Sequence, residues 1–259
     1  MINRKLRQIG KNIRLNILKR TYKANSSHIG SCLSIVEILI AIYFHKLIKS
    51  PLFILSKGHA GLALYSILVE KKIISQKILN TYGEDNTILM GHISHKVDGI
   101  IFSTGSLGHG LPFAIGKAFK FKRYLNKKHV YVLLSDGELN EGTTWEGLLF
   151  ANHHKLDNLT IIIDYNKIQS LGKVSEIIKL EPLKKKFESF GCLTFEVDGH
   201  NIYEIQKTLK KKTINKPKVI IANTIKGKGI SFMENNNLWH YKSPNEVQIK
   251  KAIIEIQNA

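Results

Sequence analysis

Residues 129–169 read HVYVLLSDGELNEGTTWEGLLFANHHKLDNLTIIIDYNKIQ, and this stretch decides the fold class. Two short apolar runs, 129–135 and 159–164, flank a segment with helical character at 145–154. A strand, a helix and a second strand in this order are typical of a βαβ unit with parallel strands. Because both runs are predominantly apolar rather than alternating, the sheet is expected to be buried on both faces.

The same alternation of helices and strands extends along the rest of the chain. Downstream, the pattern predicts a helix at 182–190, a strand at 193–197, a helix at 201–212, a strand at 219–223 and a helix at 244–257. Upstream, it predicts helices at 3–23, 34–47 and 62–70, whereas 81–112 have little periodicity. The sequence therefore predicts an α/β fold, a mostly parallel sheet flanked by helices on both faces. Residues 1–259 contain no repeat or linker and are expected to form one domain.

Composition argues against a secreted or membrane-spanning protein. The two cysteines, Cys32 and Cys192, are too few for a disulfide framework, which indicates a reducing compartment. The most apolar stretch, 33–44, contains Glu37 and is well short of the roughly 20 residues that a membrane span needs. The basic first segment could pass for an amphipathic transit peptide, but a docked first helix is the preferred interpretation. We therefore expect a cytoplasmic protein.

The chain is strongly basic, with 39 Lys and Arg against 20 Asp and Glu and a formal charge of +19. Such a charge suits nucleic-acid binding, but no nucleic-acid-binding motif accompanies it. Compositional drift together with anionic small substrates is the preferred interpretation, so no nucleic-acid partner is expected.

Polar clusters follow both central strands. Asp136, Gly137 and Glu138 come directly after the first run, and Asn166 follows the second. Ligands of open parallel sheets bind at the carboxyl ends of strands, where neighbouring strands would bring these residues together. Carboxylate and amide oxygens suit Mg²⁺ or Ca²⁺, and Gly137 allows close approach of a diphosphate. Turns alone also select Asp, Asn and Gly, so either cluster by itself remains ambiguous.

Four of the eleven histidines lie in small-residue or polar turns: His28, His59, His92 and His240. An imidazole can donate to phosphate, accept from a hydroxyl or exchange protons near neutral pH. A single loop histidine is more often only solvated, so it is the set that suggests a site.

Taken together, these motifs resemble the transketolase family. The stretch 135–169 is similar to the thiamine-diphosphate signature, although Ser135 replaces its usual first glycine. The histidine segments ANSSHIG, LSKGHA, LMGHISH and IANTIKGKGISFMENNNLWH, and the segment STGSLGHGLPFAIG, occur in the family's order over about residues 5–245. The resemblance implies a thiamine-diphosphate-binding fold and transfer of a two-carbon ketol unit from a ketose, or its phosphate, to an aldose.

The resemblance also implies roles for single residues. Asp136, Asn166 and the Ile168 carbonyl would ligate the metal. The cofactor contacts would be His59, Gly105, Ser106, Leu107, Gly137, Glu138, Asn166 and His240. The catalytic set would be His28, His92, His240 and Glu141. Lys57, Lys226 and Lys228 could add positive charge near a phosphate, but a solvent-facing side chain is the default interpretation for each.

The activating glutamate of this family lies in a second domain, for which the chain has no room after residue 245. The resemblance therefore implies a separate C-terminal transketolase subunit, in an α2β2 assembly, and an interface position for Glu141 and Glu146. Three residues depart from the family where substrate would sit: Ser27, Ile29 and Tyr241. They motivate one alternative, a non-catalytic scaffold. A second alternative is another thiamine enzyme such as a deoxyxylulose-phosphate synthase, although the set of four histidines argues against it.

Overall fold

The computed structural model describes residues 2–124 and 128–258, so residues 1, 125–127 and 259 of the predicted 1–259 domain lie outside the described residues. Within these ranges the helices are α1 Ile2–Ala24, α2 Ile29–Leu33, α3 Val36–Tyr43, α4 Gly61–Glu70, α5 Gln76–Leu79, α6 Gly110–Tyr124, α7 Gly142–His153, α8 Val174–Ile177, α9 Leu183–Ser189, α10 Ile202–Lys210 and α11 Glu246–Asn258. The strands are β1 Leu52–Leu55, β2 Val130–Ser135, β3 Leu159–Tyr165, β4 Leu193–Asp198 and β5 Lys218–Asn223.

The described strands form one sheet in the order β1-β2-β3-β5-β4, and every pairing in it is parallel. The two central runs of the sequence are β2 and β3, which pair in the register Ser135↔Asp164. This confirms the predicted parallel α/β architecture. It also means that the polar residues after β2 and β3 leave the sheet at the same edge.

Both faces of the sheet are covered by helices, as predicted. Alternate strand residues such as Leu133 and Ile162 pack with α1, α3, α4, α10 and α11 on one face. Their neighbours Val132 and Ile161 pack with α6, α7 and α9 on the other face. Two-sided burial explains why β2 and β3 are predominantly apolar instead of alternating with polar residues.

Helix α1 docks on the protein as expected. Ile13 and Ile17 are fully buried, and the helix packs against α3, α4 and α11. In the described part of the chain, we find no helix with both the length and the apolar character needed to cross a membrane.

The predicted helix over 34–47 is wrong in its bounds, because the chain forms α2 and α3 with a break at Ser34 and Ile35. The Ser34 hydroxyl bonds Asp164 of β3 at 2.7 Å, which ties this break to the sheet. Strand β1 was not predicted, since a run of four residues has no readable period. Helix α6 was missed because Gly110, Pro112 and Gly116 suggest a loop, yet Pro112 falls in the first helical turn, where its missing N–H costs nothing.

Candidate active site

A cavity of about 260 Å³ opens at the carboxyl edge of the sheet. It lies next to the residues that directly follow two strands, Asp136 after β2 and Asn166 after β3. Ten of the thirteen predicted site residues line it. These ten are His28, His59, His92, Gly105, Leu107, Asp136, Gly137, Asn166, Ile168 and His240. The structure therefore brings together side chains that are separated by most of the chain.

The four histidines form one cluster in this cavity. The ring centroid of His28 lies 5.2 Å from that of His59, 5.9 Å from that of His92 and 5.0 Å from that of His240. A backbone bond joins two of their loops, since the His28 N–H donates to the His240 carbonyl at 2.8 Å. His28 itself is held at a left-handed φ of 71°, an uncommon conformation outside glycine.

Burial keeps three of these imidazoles neutral at physiological pH. It lowers the pKa of His28 to about 4, with further lowering from His92, Lys57 and Lys226. Burial and the positive charge of Lys226 lower the pKa of His240 to about 3. The pKa of His59 is also well below its usual value, again chiefly through burial. Neutral imidazoles can both donate and accept hydrogen bonds, which suits them to hydroxyl and phosphate oxygens.

Three groups with oxygen atoms that could ligate a metal lie beside the histidines. They are the Asp136 carboxylate, the Asn166 amide and the Ile168 carbonyl. The Asp136 carboxylate accepts from the backbone N–H groups of Gly137 and Lys167, each at 2.7 Å. Burial, together with the nearby charge of Asp164, raises its pKa to about 6. The Asn166 Oδ1 accepts from the Ile168 N–H at 3.1 Å. These contacts fix the orientation of both side chains and leave further lone pairs on their oxygens.

Beneath this cluster lies a buried ion pair that sequence reasoning missed. The Lys57 ammonium contacts Asp164 at 2.5 Å, and Asp164 also accepts from Ser34, Thr224 and Asn166. The default interpretation of Lys57 as solvent-facing is therefore wrong. A signal was present in LTIIID, because an Asp at the end of a fully buried strand needs a charged or hydrogen-bonding partner.

Lys226 is the second lysine whose solvent-facing interpretation is wrong. Its side chain is buried, and its ammonium contacts the Ile168 carbonyl at 3.1 Å and His240 Nδ1 at 2.9 Å. Lys228, two residues on, is partly exposed and pairs with Glu234 at 3.3 Å. Ser31, Gln169 and Ser170 also line the cavity and were not predicted.

The remaining predicted site residues lie outside the cavity lining. Ser106 is exposed. Glu138 is fully buried and supports the neighbouring loop, because its Oε1 accepts from the Gly108 N–H at 2.9 Å. Glu141 is exposed and lies next to Gly108. A Cβ added to Gly108 would lie 2.9 Å from Glu141 Cβ.

The three departures from the family pattern do not face the cavity together, contrary to expectation. Ile29 is fully buried in the core below α2, so its side chain is not available to a substrate. Ser27 contacts His28, with its hydroxyl 2.9 Å from His28 Nδ1. Tyr241 is exposed beside His240, with ring centroids 4.8 Å apart.

Comparison with known proteins identifies the family. The model of the transketolase thiamine diphosphate binding domain matches residues 6–255. The chain is 42% identical to one of the subunits of the apulose-4-phosphate transketolase of Actinobacillus succinogenes, over 89% of this chain and 88% of that one. It is 37% identical to the 6-deoxy-6-sulfo-D-fructose transketolase subunit SqwG of Clostridium sp. strain MSTE9, over 95% of this chain and 94% of that one.

Solved structures agree with this assignment. The transketolase of Campylobacter jejuni superposes with a TM-score of 0.88 at 29% identity, covering 97% of this chain but 42% of that one. The predicted fold class is thus confirmed, as is the prediction that the chain is one subunit of a transketolase-type enzyme. The chain belongs to the transketolase family, as a relative of its thiamine diphosphate-binding domain.

Proposed function

We propose that this chain is the diphosphate-binding subunit of a two-subunit transketolase. It would transfer a two-carbon ketol group from a ketose, or a ketose phosphate, to an aldose. The observation that carries the proposal is that one cavity is lined by four histidines together with Asp136, Asn166, Gly105 and Leu107. Within 1–259 we propose one domain for this role.

The donor set fits a hard divalent cation. Asp136, Asn166 and the Ile168 carbonyl offer only oxygen, which Mg²⁺ and Ca²⁺ prefer. Burial disfavours the charged form of Asp136, and a bound dication would restore it. In the described ranges no three His, Cys, Asp or Glu side chains form a metal-holding group, so a transition-metal site has no support there. We therefore assign these three residues to Mg²⁺ or Ca²⁺.

The cofactor would be thiamine diphosphate, held by residues on both sides of the metal ligands. Gly137 would allow the diphosphate to approach the backbone, and His59 and His240 would contact its oxygens. Gly105, Ser106 and Leu107 would contact the cofactor from the opposite loop, with Leu107 near the thiazolium. Glu138 would contribute by holding Gly108. When bound, thiamine diphosphate supplies the nucleophilic carbon that cleaves a bond next to a ketose carbonyl.

The chain's own side chains would orient and protonate the sugar. His28 and His92, with His240, are placed to hydrogen-bond substrate hydroxyls or the carbonyl oxygen. Because His28 and His240 are neutral at physiological pH, they can donate to an oxygen without carrying a charge into the cavity. Glu141, exposed beside Gly108, would meet the glutamate that activates the cofactor from the partner.

A separate partner subunit would complete the enzyme. The chain spans nearly the full length of relatives that are named as single subunits of a transketolase, but only 42% of human transketolase. The remaining part of a full-length transketolase would be supplied by a second chain, and we propose an α2β2 assembly in the cytoplasm. Relatives named for apulose 4-phosphate and 6-deoxy-6-sulfofructose make these two ketoses the first substrates to test.

The alternative functions are less well supported. A scaffold without catalysis has no need for four histidines clustered beside three oxygen ligands for a metal. A different thiamine enzyme would leave the complete set of four histidines unexplained. A nucleic-acid-binding protein would show affinity that falls steeply with salt, which a filter-binding assay at two salt concentrations would detect.

Calorimetry of cofactor binding tests the proposal. The chain is titrated with thiamine diphosphate and Mg²⁺, alone and with a chain resembling the second half of transketolase. Asp136→Ala is the test variant, and Asp157→Ala, remote from the cavity, is the control. Metal-dependent binding that Asp136→Ala abolishes and Asp157→Ala retains is the expected result. Folded chains that bind no cofactor in any combination would refute the proposal.

A further inference from the structure

The ammonium group of Lys226 is surrounded by acceptors. It lies 3.1 Å from the Ile168 carbonyl, 3.2 Å from the Gln169 carbonyl and 2.9 Å from His240 Nδ1. A protonated lysine has three hydrogens and no lone pair, so it can only donate in each of these contacts. His240 Nδ1 must therefore accept, and a neutral imidazole that accepts at Nδ1 carries its proton on Nε2.

The stem of Lys226 is held as firmly as its ammonium. A Cβ on Gly30 would lie 3.2 Å from Lys226 Cγ and 3.3 Å from the Trp239 carbonyl, so the stem fills the space beside this glycine. The Gly227 N–H donates to the Gly30 carbonyl at 3.0 Å, and the Asn235 N–H donates to the Lys226 carbonyl at 2.9 Å. Lys226 thus has little freedom to turn away from His240.

His28 shows a different arrangement on the other side of the cluster. Its Nδ1 lies 2.9 Å from the hydroxyl of Ser27, and a hydroxyl can either donate or accept. His28 can therefore carry its proton on either ring nitrogen. Among the described residues, none hydrogen-bonds Nε2 of His28 or of His240, and both residues line the cavity.

We propose that Lys226 is a positioning residue that fixes His240 as the tautomer with its proton on Nε2. His240 then presents a permanent hydrogen-bond donor to an oxygen in the cavity, whereas His28 remains able to donate or accept. The fixed tautomer follows from the contacts of Lys226 as long as its amine is protonated, which holds below its pKa of about 8, a value lowered by burial. Its catalytic consequence, a donor held ready for a phosphate or sugar oxygen, rests on the proposed function.

Nuclear magnetic resonance of the imidazole nitrogens tests the tautomer without cofactor or partner. The full chain is labelled with ¹⁵N-histidine, and His240 is assigned from the signal that disappears in His240→Ala. We expect an unprotonated Nδ1, shifted by the hydrogen bond it accepts, and a protonated Nε2. Lys226→Met removes that hydrogen-bond shift and raises the Nδ1-protonated fraction. The control Lys228→Met changes neither, because that side chain pairs with Glu234.

Two spectroscopic results would overturn the proposal. One is a wild-type His240 protonated on Nδ1. The other is an Nδ1 resonance that is the same in the wild type and in folded Lys226→Met. Since free imidazole already favours the Nε2 proton, the shift of Nδ1 is the deciding quantity. Circular dichroism of each variant establishes that it is folded.

A double-mutant cycle in the reconstituted enzyme tests the catalytic consequence. Loss of a charge-assisted hydrogen bond in Lys226→Met is expected to lower kcat/KM about tenfold to a hundredfold. In a His240→Ala background the same change should cost less than about threefold, because Lys226 acts through that ring. Equal losses in both backgrounds would show that Lys226 acts independently of His240. If no ketose is turned over by the wild type, the proposed function fails while the spectroscopic test still decides the tautomer.

Discussion

The ammonium of Lys57 lies 2.5 Å from Asp164 Oδ2, and the two side chains are 1% and 0% exposed. This pair joins the loop after β1 to the end of β3 directly beneath the histidine cluster. Removing one partner of such a pair leaves a buried charge uncompensated, which costs more than the intact pair contributes. The folded protein favours the charged form of Asp164. Burial alone would raise the pKa of Asp164, but Lys57 and the hydrogen bonds that Asp164 accepts hold this pKa below its usual value.

Neutralising this carboxylate is expected to destabilise the fold. Asp164→Asn should lower the free energy of unfolding by about 3–5 kcal/mol. The matched control is Glu246→Gln, whose ion pair with Lys250 has side chains about 70% exposed and should cost less than about 1 kcal/mol. Urea denaturation followed by circular dichroism measures both. Equal effects of the two substitutions would contradict the structural role of the buried pair.

Metal binding should depend on pH through Asp136. Its pKa of about 6 in the folded protein lies above the ordinary value of 3.8, so the folded chain holds a proton on it between these two pH values. In the metal-free protein this group therefore makes stability fall as pH rises from about 4 to 6. Because a metal needs the ionised carboxylate, Mg²⁺ affinity should weaken about tenfold per pH unit below pH 6.

Calorimetric Mg²⁺ titrations between pH 5 and pH 8 test this dependence. The pKa values of His28 and His240, about 4 and 3, lie below this range, so these two rings do not titrate in it. An affinity that stays constant from pH 5 to pH 7 in the wild type would contradict the assignment of Asp136 as a ligand.

Two glycines should respond to alanine in opposite directions. A Cβ on Gly58 would lie 2.3 Å from the Thr104 carbonyl oxygen. Gly58→Ala must therefore displace either the loop at 104–108 or Gly58 together with its neighbour His59. We expect a loss of about 1–3 kcal/mol in stability. Gly116 lies within α6 with nothing within 4 Å of an added Cβ, so Gly116→Ala should gain up to about 1 kcal/mol. Thermal unfolding compares them, and a stabilising Gly58→Ala would contradict the close approach.

A third buried lysine should stabilise the opposite end of the sheet. Lys218, at the start of β5, donates to the carbonyls of Thr208 at 3.3 Å and Leu209 at 2.9 Å, at the end of α10. Lys218→Met removes a charged donor from the helix end and should cost about 1.5–3 kcal/mol. Exposed Lys216 gives the control variant Lys216→Met, for which we expect a change below about 0.5 kcal/mol. Equal denaturant midpoints for Lys218→Met and Lys216→Met would refute a stabilising role of Lys218 at the end of α10.

The central strands and the position of the oxygen donors were predictable for a physical reason. Runs such as LTIII are typical of strands that are buried on both faces of a parallel sheet, and parallel strands place Asp136 and Asn166 at one edge. LTIIID indicated that Asp164 needs a partner, but it did not indicate which one, because Lys57 lies in the loop after β1, more than 100 residues away in sequence. Strand β1 was missed for the same reason, since its assignment depends on pairing with β2.

The family departures show a further limit of pattern reading. Ser27, Ile29 and Tyr241 flank motif histidines, which suggested that all three face substrate. A residue next to a catalytic position in sequence can point the opposite way once the backbone turns, as Ile29 does at the start of α2. Ser27 contacts the ring of His28, and Tyr241 contacts the ring of His240, which the sequence pattern does not indicate.

The hydrogen bond between the His28 N–H and the His240 carbonyl has a consequence for the order of folding events. The two groups are far apart in sequence, so their contact closes one of the longest loops in the chain and carries a large entropic cost. Such contacts form late, after local helices and neighbouring strands have assembled. The ribosome must therefore synthesise the chain past residue 240 before the histidine cluster can form, and a nascent or partly refolded chain should not show the ring signals of the assembled cluster.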